Sequence, residues 1–112
     1  MTTLAFLTKI LYHLPASAFE NSYSFHDAME SALKKQGWIV IREFRVINKG
    51  DGRLGFIDLA VVHPVRIGLE LDRNSPRKNS LFKLKQFKGL RFVILRESRR
   101  IIPVNENDSP QN

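Results

Sequence analysis

The stretch FIDLAVVHPVRIGLELDRNSPRK, residues 56–78, decides how this chain is read. Two apolar runs, 55–62 and 66–72, flank the short link His63-Pro64-Val65. A link that short joins antiparallel strands, because a parallel crossover needs a dozen residues or more. Yet Asp58, Glu70 and Asp72 interrupt the apolar runs. Side chains alternate across a strand. Ile57, Leu59 and Val61 therefore share one face, and Asp58, Ala60 and Val62 the other. In the next strand Ile67, Leu69 and Leu71 lie opposite Gly68, Glu70 and Asp72. A three-residue link pairs Leu59 with Leu69 and Ile57 with Leu71, which gives an aliphatic face. The same register sets Asp58 against Glu70, within ~5 Å at Cβ.

Like charges directly opposed destabilise a sheet. A divalent cation would offset them, since Mg²⁺ binds one or two carboxylates with waters and phosphate oxygens. The alternative is a solvated outer face. Positions 58, 60, 68, 70 and 72 hold no cation, and the like-charge argument favours the metal. Small Ala60 and Gly68 leave room for a ligand.

Outward from this segment, residues 4–14 read as a helix ended by Pro15, and 16–23 as a loop. Ser24 opens a second helix with Asp27 as its capping partner. Phe25, Ala28, Met29, Ala32 and Leu33 form its buried stripe, and Gly37 stops it. Residues 38–47 read as a strand. NKGDGR, 48–53, is a hairpin turn with an Asp-Gly signal. Ser80 caps a helix over 81–88 that Gly89 ends, and LRFVILRE, 90–97, is a fourth strand. Leu81, Leu84, Phe87, Phe56 and Trp38 are assigned to the core. From Asn105 the polar chain reads as a disordered tail. The expected division is 1–23 helix and loop, 24–104 core domain, 105–112 tail.

The chain has 112 residues, enough for one domain with its own core. It lacks cysteine, so disulfides and thiolate metal sites are excluded. No run approaches the ~20 apolar residues of a membrane span. The start LAFLTKILYHLPASAF lacks the basic flank of a signal peptide, and Lys9 and His13 interrupt it. An intracellular location and no membrane partner are expected. The net charge of +7 points to a polyanion, nucleic acid first. Segregation says more. Arg73, Arg77, Lys78, Lys83, Lys85, Lys88, Arg91 and Arg96 fall in a span with no acidic residue. The loop SPRKNS adds hydroxyls and amides before a helix, a setting that favours phosphate. His13, His26 and His63 have no partner at metal-ligand spacing.

The strings Gly55-Phe56-Ile57-Asp58 and Glu70-Leu71-Asp72, on adjacent strands after a helix, resemble the PD-(D/E)xK nuclease superfamily. The resemblance covers residues 24–97. It implies an α/β, restriction-endonuclease-like α-β-β-β-α-β core, a mixed four-stranded sheet flanked by helices, here with an extra N-terminal helix. It also implies a Mg²⁺ or Mn²⁺ site from Asp58, Glu70 and the Leu71 carbonyl. Asp72 stands where the motif has its lysine. A lysine from elsewhere, Lys78 or Lys83, would then complete the catalytic set, with Asp72 as a third metal ligand and Glu30 on the preceding helix as a further one. The implied activity is metal-dependent DNA endonuclease, directed by DNA structure or acting as a homodimer. Arg73, Arg77, Lys78, Lys83, Lys85 and Lys88 would hold the DNA. The alternative is an inactive nuclease fold that binds nucleic acid as an accessory protein. A protein-docking module is a third reading.

Overall fold

The computed structural model describes residues 1–47 and 52–105. The turn expected over 48–53 therefore lies mostly outside the described residues, as does the expected tail beyond Asn105. The chain runs α1 (Thr3–His13), a single 3-10 turn (Ala16–Phe19), α2 (Ser22–Lys34), β1 (Ile39–Ile47), β2 (Leu54–His63), β3 (Ile67–Asp72), α3 (Lys78–Lys85), β4 (Leu90–Leu95) and β5 (Ile101–Pro103).

Local chemistry sets the helix ends. Thr2 caps α1 by accepting from the Ala5 amide at 3.0 Å. Asn21, not Ser24, caps α2, accepting from the Ser24 amide at 2.8 Å. Both residue types suit an N-cap, and the asparagine comes first in the chain. Gly37 ends the segment at φ 84°, a conformation that costs glycine little. α3 begins at Lys78, three residues ahead of expectation, because Ser80 does not cap it. Its hydroxyl turns inward and donates to Asp72 Oδ1 at 3.0 Å.

The sheet order is β1-β2-β3-β4-β5. Pairing is antiparallel except between β3 and β4, which α3 connects and which run parallel. The expected β2–β3 register is present over three pairs, Leu59 with Leu69 to Val61 with Ile67; the expected pairs of Ile57 with Leu71 and Asp58 with Glu70 are not part of the ladder, because the strands part beyond Leu59. Five strands, not four, make the sheet. The fourth ends at Leu95, and Arg99 at φ 63° turns the chain back as β5 along its outer edge. Only three residues pair there, and Pro103 is tolerated because the strand is an edge. So short a run carries no alternation to read.

The sheet separates two apolar clusters. On one side α1 and α2 bring Leu7, Leu11, Phe25, Met29 and Leu33 onto Leu59, Val61, Ile67, Leu69 and Ile94. On the other, α3 sets Leu84 and Phe87 over Ala60 and Val93. Gly68 makes that approach possible, since a Cβ there would lie 3.0 Å from Phe87 ring atoms. Ile57 departs from the expected aliphatic face and joins the α3 side. Across from this point in β1, Glu43 adopts φ 56°. A left-handed residue reverses the side to which the following side chains point, so Val40 packs toward α2 while Val46 packs toward α3. Phe56 then faces outward, 47% exposed rather than core. Trp38 is partly buried against Phe6, with ring centroids 4.6 Å apart.

Candidate active site

β2 and β3 pair as far as Leu59 and Leu69 and then part. Two backbone amides face the opening fork, and the carboxylates take them. Glu70 Oε2 accepts from the Asp58 amide at 2.7 Å, and Asp58 Oδ2 accepts from the Leu71 amide at 2.7 Å. Buried amides must find partners, and bonds to a charged acceptor are the stronger kind. The exchange explains why acids tolerate these strand positions.

Glu70 is fully buried. Lys83 reaches it from α3, its Nζ 2.7 Å from Oε1. That contact is a buried ion pair, and the ammonium is the partner Oε1 has. The stem of Lys83 crosses Gly55, where a Cβ would meet Cγ at 3.2 Å. Burial, and then the charge of Asp58, raise the Glu70 carboxyl above its ordinary range; Lys83 offsets this only in part.

On the other flank His26 of α2 sets Nε2 3.4 Å from Asp58 Oδ2 and Nδ1 2.7 Å from the Ser22 carbonyl. Both ring nitrogens face oxygen acceptors, an arrangement that the doubly protonated ring satisfies. Its pKa is raised, chiefly by the bond to Asp58. Burial pushes Asp58 up, but His26 and the Leu71 amide outweigh it and hold the carboxyl below its usual value. The protein itself thus sets an ammonium, and an imidazole that is cationic when protonated, against these two carboxylates.

Asp72 has a different occupation. Oδ1 accepts from Arg77 Nε at 2.9 Å and from Ser80 at 3.0 Å, and Oδ2 accepts from the Arg77 amide at 3.0 Å. It locks the loop after β3 to the first turn of α3, and so sets the direction from which Lys83 arrives.

Of the residues expected at the site, Asp58, Glu70 and Lys83 meet. Lys78 heads α3, exposed. Glu30 lies apart, its oxygens held by Lys34 at 2.8 Å and Arg42 at 3.3 Å. Beside Asp58 the α2 residue is His26, one turn earlier. Its sequence signal was its place on the Met29 and Leu33 row, three and seven residues ahead of them. A cleft of about 300 Å³ opens next to Asp58 and Asp72 and is lined also by His26, Arg73, Arg77 and Arg96. Lys85 and Lys88 do not line it, and Arg96 does.

Among the described residues no group of three or more His, Cys, Asp or Glu is placed to hold a metal ion. The Asp72 oxygens are fully engaged, which suits a strut better than a ligand. Asp58 and Glu70 with the Leu71 carbonyl offer hard oxygen donors, and Glu70 Oε1 faces only the ammonium. Carboxylate oxygens are the donor type that Mg²⁺ takes. Among the described residues no helix is long and apolar enough to cross a membrane. In comparisons with known proteins, no family model, no curated protein and no solved structure matches the chain.

Proposed function

We propose that the protein is a metal-dependent nuclease that hydrolyses phosphodiester bonds in DNA, on a restriction-endonuclease-like core whose motif lysine has moved from the strand to the following helix. The observation that carries this reading is the ion pair of Lys83 with Glu70. In the PD-(D/E)xK pattern the lysine sits two residues after the glutamate. Here that position is a structural aspartate, and α3 returns an ammonium to the same carboxylate. Asp58, Glu70 and the Leu71 carbonyl would hold Mg²⁺, which when bound stabilises charge on the scissile phosphate and lowers the pKa of an attacking water. Lys83 orients that water and steadies the developing charge. His26 fixes the rotamer of Asp58. Arg73, Arg77 and Arg96 hold the backbone without reading sequence.

A second reading, a nuclease fold that binds nucleic acid without cutting, is favoured by one observation. The amides, His26 and Lys83 already satisfy most of the carboxylate oxygens, so the cluster stands without a metal.

The test is cleavage of linear, nicked, flapped and four-way-junction DNA with Mg²⁺ or Mn²⁺, with Glu70→Gln and Lys83→Met alongside. Their folding is checked by thermal unfolding. The nuclease reading expects turnover that falls at least ~10²-fold in both variants. Undiminished cutting by folded variants refutes the site. DNA bound but never cut selects the second reading.

A further inference from the structure

Lys83 lies between the Glu70 carboxylate and a second cleft. Beyond Glu70 and Asp58 lies the arginine-lined cleft. Beside the stem of Lys83 lies the second, about 160 Å³, lined by Asn79 and Phe82 of α3, by Gln86 at its C-cap, and by Arg53, Leu54, Gly55 and Val46 of β1, β2 and the approach to β2. On α3 the spacing 79, 82, 86 puts two carboxamides and a phenyl ring on one stripe. Their chemistry differs from that of the phosphate-binding side. Phe82 is 39% exposed although α3 has a core face to hide it in. Gln86 Nε2 makes only a long bond, 3.4 Å, to the Phe82 carbonyl. Asn79 is exposed. The floor is Gly55, with the stem of Lys83 packed along it.

We infer that this cleft receives one unpaired nucleobase of the nucleic acid, stacked on Phe82 with its edge against Asn79 and Gln86. An aromatic ring gives every base a stacking surface, and carboxamides match the paired donors and acceptors of base edges. The cleft holds one planar ring and has no space for a stacked pair, so a duplex enters it only by giving up a base. Lys83, which lines this cleft, is linked to Glu70 and through it to Asp58 by 2.7 Å contacts. The substrate class is therefore nucleic acid with an unpaired nucleotide at the cut, a flap or single strand, in preference to continuous duplex. The inference rests on the nucleic-acid reading of the site.

The experiment uses the full chain in EDTA, so that binding is read apart from cutting. Flapped duplexes carry 2-aminopurine at successive flap positions, and a blunt duplex of equal length is the control. The expected result is fluorescence quenching at one position near the junction. Phe82→Ala abolishes the quenching and weakens flap binding by about 5- to 150-fold, with blunt-duplex affinity changed less than about twofold. Gln86→Ala leaves the quenching and alters the ranking among the four bases. Unchanged flap affinity in folded Phe82→Ala, or equal loss on flap and duplex, overturns the inference. Mg²⁺ cleavage assayed separately keeps the two readings apart. Phe82-dependent binding without cutting removes the nuclease and keeps the base cleft, and cutting without Phe82 dependence does the reverse.

Discussion

Arg77 grips Asp72 from two directions, with its backbone amide on Oδ2 at 3.0 Å and its Nε on Oδ1 at 2.9 Å. The aspartate that breaks the expected motif is thus the anchor of α3. Restoring the motif with Asp72→Lys would set a cation against Arg77 at a position where the aspartate side chain is wholly buried. We expect a loss on the order of 3 kcal/mol and no gain of cleavage, whereas Asp72→Asn should cost about 1–2 kcal/mol. Urea midpoints of the two variants check the order.

Stability should fall as pH rises above neutrality. His26 has a folded pKa above 6.5, so its contribution is complete below 6.5 and lost as pH climbs through the folded value. Glu70, also raised, acts in the same direction from 4.5 upward. Asp58 is lowered, so its contribution is present above 3.8 and disappears only as acid reaches its depressed value. Unfolding in EDTA between pH 5.5 and 8.5 should show the decline, and His26→Asn should flatten the part above 6.5. A wild-type profile flat over that range would contradict the His26–Asp58 pairing.

Two glycines near α3 should separate stability from activity. A Cβ at Gly68 meets Phe87 at 3.0 Å and Leu84 at 3.3 Å. Phe87 is buried and has nowhere to go, so Gly68→Ala should cost about 1–3 kcal/mol. At Gly55 the Cβ crowds the flexible stem of Lys83 at 3.2 Å and meets Val46 at an ordinary 3.7 Å. Gly55→Ala should hold its unfolding midpoint close to wild type and still slow cleavage by moving the ammonium. Equal effects on both properties at both sites would refute this placement of Lys83.

Salt dependence should map the backbone contacts. Arg73→Ala is expected to reduce the slope of log affinity against log salt by about one. Lys88→Ala should leave it unchanged. Lys88 precedes the Ile67–Leu90 end of the parallel pair, whereas the cleft lies at the Asp72–Leu95 end.

The element order and the β2–β3 register were legible because a three-residue link and strand alternation leave little choice. Lys83 beside Glu70 was foreseen as one of two candidates, since a helix following Asp72 has to flank the carboxylates. The rest depended on tertiary geometry. The left-handed turn at Glu43 moved Ile57 and Phe56, and no residue type announces it. His26 became a partner of Asp58 only when α2 docked. Asp72 proved to be a strut because Arg77 and Ser80 fold back on it, a contact that periodicity does not encode. β5 was too short to show a period.

The parallel pair β3–β4 has a temporal consequence. β1, β2 and β3 zip between chain neighbours, and β4 with β5 likewise, whereas β3 meets β4 only after α3 has swung across the sheet. Contacts that close larger loops form later. Until then Asp58 and Glu70 sit hydrated on a meander, and Lys83 travels with an undocked helix. The carboxylates lose their water and gain their ammonium in the same event. The cluster with its ammonium is therefore complete only once α3 has docked.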